Sequence, residues 1–206
     1  MPSKASSPRV RRTSDERQAE IAAAARKVAL TRGLASVTLR AVAAEVGVTA
    51  ALVAHYRPSM DELVAEVFAS IVGEELREIE SSVGGIADPV ERMRALLTTL
   101  LDDAQDEVTL TWVQAWAAGR NEALAREVRA QMDAWVAFLG GQVREGVAVG
   151  AFAVSDPDGV ARQMLGMIDG LNAHALIRWG TSQDRRTLMG LAVEASLGLE
   201  RGALAA

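Results

Sequence analysis

From residue 21 to residue 199 the apolar positions fall three and four apart, and nowhere does apolar–polar alternation persist long enough for a strand. The pattern predicts an all-α chain of about nine helices. Thr13 or Ser14 caps the first, with Asp15 and Glu16 in its opening turn, Ile21, Ala24, Ala25, Val28 and Ala29 on its apolar face, and Gly33 as its stop. Val37–Thr38 opens a short helix along Leu39, Val42, Ala43 and Val46; Gly47 follows, and Thr49 caps a third helix reaching about His55. Pro58 disfavours helical geometry at Arg57. Ser59 then caps a long fourth helix, with Glu62 placed to complete a capping box and Leu63, Val67, Ser70, Ile71 and Ile79 on its buried side. Beyond Gly84–Gly85, Asp88–Pro89 starts a helix through Met93, Leu96, Leu97, Leu100 and Leu101, and another runs from about Asp106 through Trp112 and Trp116 to Gly119. A long one extends from Asn121 to about Val149. Ser155-Asp156-Pro157 signals a helix to about 179, stopped by Gly180, and the last covers about 184–200.

Charge divides this string of helices unevenly. The net charge is −5, yet residues 1–57 hold 10 Lys/Arg against 4 Asp/Glu and the remainder 12 against 23. A basic head on an acidic body predicts that the head meets a polyanion and the body does not. The stretch 1–13 carries two prolines and no apolar period, and reads as a flexible basic arm. The expected domains are therefore this arm, a helix-turn-helix domain over 14–58, and a helical effector-binding and dimerisation domain over 59–206, with the fourth helix (59–82) as the connector.

Composition narrows the chemistry. Cysteine is absent and only His55 and His174 could offer imidazole, so thiolate chemistry is excluded, no metal site is expected and no cofactor is implied. No apolar run approaches the roughly 20 residues of a bilayer span, and Met1–Arg12 lacks the apolar core of a signal peptide. A cytoplasmic protein without a membrane partner is expected.

Two short helices around a glycine turn, within the basic head, outline a helix-turn-helix. The second must enter a major groove, so its exposed face must be small or polar and carry base-edge readers. Residues 49–56 (TAALVAHY) suit that demand. Leu52 and Val53 are suited to the core, while Ala50, Ala51, Ala54 and His55 can approach DNA. Thr49, at the positive helix N-terminus, is a natural phosphate contact.

The stretch TLRAVAAEVGVTAALVAHYRPSMDEL (38–63) resembles the signature of the TetR family of transcriptional regulators, and the likeness is strong over residues 15–70. LVAHY, together with Met-Ile-Asp-Gly-Leu at 167–171, is similar to the branch that contains the betaine-pathway repressors. The resemblance implies a phosphate contact from Thr38, a base contact from Arg40, a start of the reading helix at Thr49 and a backbone contact from Tyr56. Three residues depart from the family pattern: Ala54 for the usual tyrosine, Arg57 for the usual phenylalanine, and Met60 for the lysine that opens the fourth helix. The phosphate charge lost at Met60 is expected from Arg57, or from Arg11 and Arg12 in the arm.

All four tryptophans lie in the acidic body. Trp112 and Trp116, one turn apart, with Met132, Trp135, Met164, Met167, Asp169, Asn172 and His174, make a candidate effector pocket for an apolar or cationic small molecule. Their other reading is core or dimer interface. Asp169 sits in the largely apolar run Met164–Ile177 and needs a partner, either protein (Arg162 or Asn172) or a cationic ligand. Gly166, Gly170 and Ala173 form a small-residue seam that, with Leu188, Leu191, Ala192, Ala195 and Leu199, suggests a four-helix dimer interface, where TetR-like proteins use their last two helices. The seam alone leaves intrachain packing open. The expected function is a non-enzymatic, homodimeric repressor that binds a palindromic DNA operator and is released by a small molecule. A helical enzyme, or an adaptor whose hairpin never meets DNA, is the rival.

Overall fold

The computed structural model describes residues 13–102 and 106–205. Among them every regular element is helical: α1 (Ser14–Arg32), α2 (Leu39–Val46), α3 (Ala50–Tyr56), α4 (Met60–Val83), α5 (Pro89–Leu100), α6 (Asp106–Ala117), α7 (Glu122–Ala148), α8 (Pro157–Ala175) and α9 (Ser182–Leu197), with one 3₁₀ turn at Leu34–Ser36. The arm, with Arg11 and Arg12, lies outside the described residues.

Local chemistry explains the starts. Thr13 and Glu16 form a capping box on α1, and Thr38, Thr49, Asp88, Asn121, Asp156 and Thr181 each cap the helix that follows with a side-chain oxygen. Ser59 accepts from the Glu62 amide at 3.2 Å, but the expected reciprocal half of its box is replaced: the Glu62 carboxylate takes Arg126 of α7 instead. Ser70 is exposed rather than on the buried side of α4, whose core face is Leu63, Val67, Phe68, Ile71, Val72, Leu76, Ile79 and Val83.

Two C-termini fall short of expectation. Helix α8 stops at Ala175, four residues before the expected end, because Arg178 adopts a left-handed φ of 57° and the Trp179 amide turns back to the His174 carbonyl. Helix α9 stops at Leu197 because Gly198 takes φ 70°. A Cβ there would lie 3.0 Å from Ala153, so both conformation and space favour glycine.

One apolar cluster runs through the whole molecule, from Ile21 in α1 to Leu204 after α9. In the head, α1 packs on α2, α3 and the long connector α4. In the body, α7 lies between α4 and α8, and α6 rests against α4, α7 and α8 while also touching α1 and the 3₁₀ turn. Among the described residues no single helix is long and apolar enough to cross a membrane, and no group of three or more His, Asp or Glu is placed to hold a metal ion.

Candidate functional site

The head presents α2 and α3 at 104° to each other, within the range of about 90–120° for helix-turn-helix units. The hydroxyls of Thr38 and Thr49 accept from the amides of Ala41 (3.2 Å) and Leu52 (3.3 Å), which fixes both N-termini while leaving the residues exposed. Val53 anchors α3 in the core, so Ala51, Ala54 and His55 face outward; Ala50 and Tyr56 are half-buried against the core cluster. The His55 ring meets the Tyr56 ring edge-on, with centroids 5.1 Å apart.

The head's cations divide by their partners. Arg17 pairs with Glu20, Arg26 with Glu74 of α4, and Lys27 with Glu45 of α2 at 2.5 Å, an ion pair that holds the Glu45 carboxyl below its usual range. Arg57 pairs with Glu66 of α4 at 2.7 Å and most of its side chain is buried, so its charge is engaged within the head. Arg40, by contrast, is exposed and engages no hydrogen bond or ion pair among the described residues.

The body holds a cavity between α4, α5, α6, α7 and α8. Trp112, Trp116, Met132, Trp135, Asp169 and Asn172 of the candidate set line it, with Glu75, Leu100, Thr109, Leu165 and Ile168, which sequence reasoning missed. Trp112 stacks edge-on to Phe68 at 5.0 Å and lies 5.9 Å from Trp116, so α6 supplies an aromatic wall. The cavity volume is only about 30 Å³. Larger guests must move the walls.

Two carboxylates face this space. The Trp112 indole N–H donates to Glu75 at 3.4 Å; no hydrogen bond or ion pair from the described residues reaches Asp169. Asn172 donates instead to the Leu100 carbonyl at 2.8 Å, and Arg162 is exposed, so neither expected protein partner serves Asp169. Burial pushes the Asp169 carboxyl up to about 7. It does the same for Glu75, also to about 7, with the Trp112 hydrogen bond opposing and the charge of Asp169 adding to the rise. The indole N–H groups of Trp116 and Trp135 are buried without an acceptor among the described residues. An apolar, aromatic chamber with two acidic groups and, among the described residues, no lysine or arginine in its lining is chemically suited to a small organic cation.

Three candidate pocket residues lie elsewhere. Met164 is fully buried core, Met167 is half-buried against that core, and His174, in the last turn of α8, packs edge-on to Trp179 at 4.9 Å. Glu75 had a readable signal: it falls four residues from both Ile71 and Ile79, on the buried stripe of α4.

The α8–α9 face is open. Gly166 and Gly170 have no side chain near the position of a Cβ, so the small-residue seam makes no close helix contact within the described chain. Leu188 and Leu191 are exposed, as is Ala195; Ala173, Ala192 and Leu199 are half-buried.

Residues 89–197 match the model of the BetI-type transcriptional repressor C-terminal domain, and residues 21–67 match that of the tetR family of bacterial regulatory proteins. The HTH-type transcriptional regulator BetI of Rhizobium meliloti (strain 1021) is 28% identical over 151 residues, 72% of each chain. Among solved structures, a transcriptional regulator from Saccharomonospora viridis in complex with choline is similar at TM-score 0.75 and 22% identity, covering 91% of this chain and all of that one. A regulator from Pseudomonas aeruginosa PAO1 is similar at TM-score 0.76 and 21% identity, covering 94% of this chain and 95% of its own. The C-terminal match spans more than half of the molecule and lies downstream of the match over the head: this chain belongs to the TetR family of transcriptional regulators, on its BetI-type repressor branch.

Proposed function

We propose that this repressor binds a palindromic operator as a homodimer and is released when a small organic cation occupies the α4–α8 cavity. The head over 14–58 and the body over 59–206 divide the two tasks. Thr38 and Thr49 contact phosphates, Arg40 and His55 reach base edges, Ala50, Ala51 and Ala54 clear the groove, and Tyr56 touches backbone. The arm, with Arg11 and Arg12, adds sequence-independent phosphate contacts.

The observation that carries the effector reading is the pair Glu75–Asp169, facing an indole-lined chamber whose described lining includes no lysine or arginine. Each aromatic face is worth about 0.5–2 kcal/mol to a cation, depending on desolvation. The choline complex of the S. viridis regulator points the same way. The open α8–α9 face, with Gly166, Gly170, Leu188 and Leu191 at its centre, supports pairing with a second copy.

Selection of bound duplexes from a random DNA pool tests the operator half, and a palindromic motif is the expected result. A tryptophan-fluorescence screen of choline, tetramethylammonium and neutral isosteres of similar size tests the effector half. Binding of the neutral compounds as tightly as the cations would overturn the cationic reading.

A further inference from the structure

Helix α6 has two working faces. Thr109, Trp112 and Trp116 line the cavity on one. Gln114, between the two tryptophans and about 200° around the helix from Trp112, points the other way. Its side-chain oxygen accepts the Leu34 amide N–H at 2.7 Å, across 80 residues of sequence. Leu34 is buried and opens the 3₁₀ turn, three residues of which separate Gly33 from Val37 and the α2 cap Thr38. Gly33 closes α1 at φ 85°, and a Cβ there would come within 2.6 Å of the Gln114 amide, so the body side chain is seated directly on the α1–α2 junction.

The free cavity is too small for an organic cation, so a guest must displace its walls, and α6 is the wall whose far side meets the head. A short helix moves as a unit. We propose that Gln114 is a positioning residue that couples cavity occupancy to the operator face: a shift of α6 is passed through the Gln114–Leu34 hydrogen bond to the 3₁₀ turn, and so to Thr38 and Arg40. This route is separate from the covalent continuity of α4. It rests on the effector reading above.

The test compares full-length wild type, Gln114→Ala and Gln114→Glu, the last retaining the accepting oxygen. Operator affinity is measured with and without saturating choline, and choline affinity by tryptophan fluorescence without DNA. Choline should bind all three within about twofold. It should raise the operator Kd of wild type by at least about fivefold, the lower end of ordinary coupling. In Gln114→Ala that factor should fall towards one, and Gln114→Glu should restore it. A full choline response in Gln114→Ala, or no rescue by Gln114→Glu, overturns the proposal.

Failure of wild type to bind any cation would strike the effector reading instead. A ligand-free arm then decides the coupling: Leu165→Trp overfills the cavity and should shift operator affinity when Gln114 is present but not in Gln114→Ala. An equal shift in both backgrounds, or none in either, overturns it.

Discussion

Replacing Asp169 by asparagine should make the protein more stable and less responsive at once. The buried carboxyl titrates at about 7 instead of 3.8, because burial disfavours its charged form. At roughly 1.36 kcal/mol per pH unit of separation, holding it ionised in the fold costs about 4 kcal/mol. The sign follows from proton binding. Between the unfolded value near 4 and the folded value near 7 the unfolded chain has already lost this proton while the folded chain keeps it. Stability therefore falls as pH rises through that window and levels off above it. The amide that replaces the carboxyl has no proton to lose, so the advantage of Asp169→Asn over wild type should widen by about 2–3 kcal/mol between pH 5 and pH 8. Binding moves the other way. A cation about 5 Å from the carboxylate gains at most about 3 kcal/mol at an effective dielectric of 20, and Glu75 retains part of the attraction. Choline affinity at pH 8 should thus fall by about 10- to 100-fold in Asp169→Asn. In wild type it should rise with pH through 7 as the carboxylates ionise. Denaturant unfolding at fixed protein concentration and fluorescence titration, each at pH 5 and pH 8, give both numbers. A stability difference that is flat with pH, or unaltered choline affinity in the variant, would refute the reasoning.

Three further outcomes are expected. Arg40→Ala should cost about 1–3 kcal/mol of operator binding and broaden the selected motif, because this exposed guanidinium is free to reach a base edge; an unchanged motif would make it solvated surface. Removing residues 1–12 should weaken binding to all duplexes alike and flatten the slope of log Kd against log salt by about one for each phosphate the arm neutralises, measured by anisotropy across a salt series; an unchanged slope would mean that the arm does not touch DNA. Leu191→Glu, on the open α8–α9 face, should shift the protein from dimer to monomer in sedimentation without loss of helicity, and an undiminished dimer would place the interface elsewhere.

The helices are legible because all but α6 carry a start signal of their own, and each has apolar residues at three-and-four spacing. What the string does not show is where a chain turns without a punctuating residue. Arg178 takes a left-handed conformation usually left to glycine or asparagine, so α8 ends before the visible stop at Gly180. The cavity is half legible. Tryptophans and a lone aspartate in an apolar run announce themselves, whereas Glu75 hides in the acidic stretch Glu74–Glu80, where charge reads as solvated surface unless its place on the Ile71–Ile79 stripe is noticed. Met164, Met167 and His174 share α8 with Asp169 but project at other angles, and sequence proximity does not fix which flank of a helix faces a chamber. The role of Arg57 is hidden for a related reason. Its partner Glu66 lies nine residues on, beyond a proline turn, where helical spacing offers no guide.

The central claim is that operator and cation compete through one two-state molecule, and reciprocity tests it most directly. The operator Kd is measured with and without saturating choline, and the choline Kd from tryptophan emission with and without saturating operator. The account predicts that both rise, and by the same factor, since a coupling free energy has no direction. An operator Kd that does not change at saturating choline, while choline still quenches or shifts the emission, would contradict it.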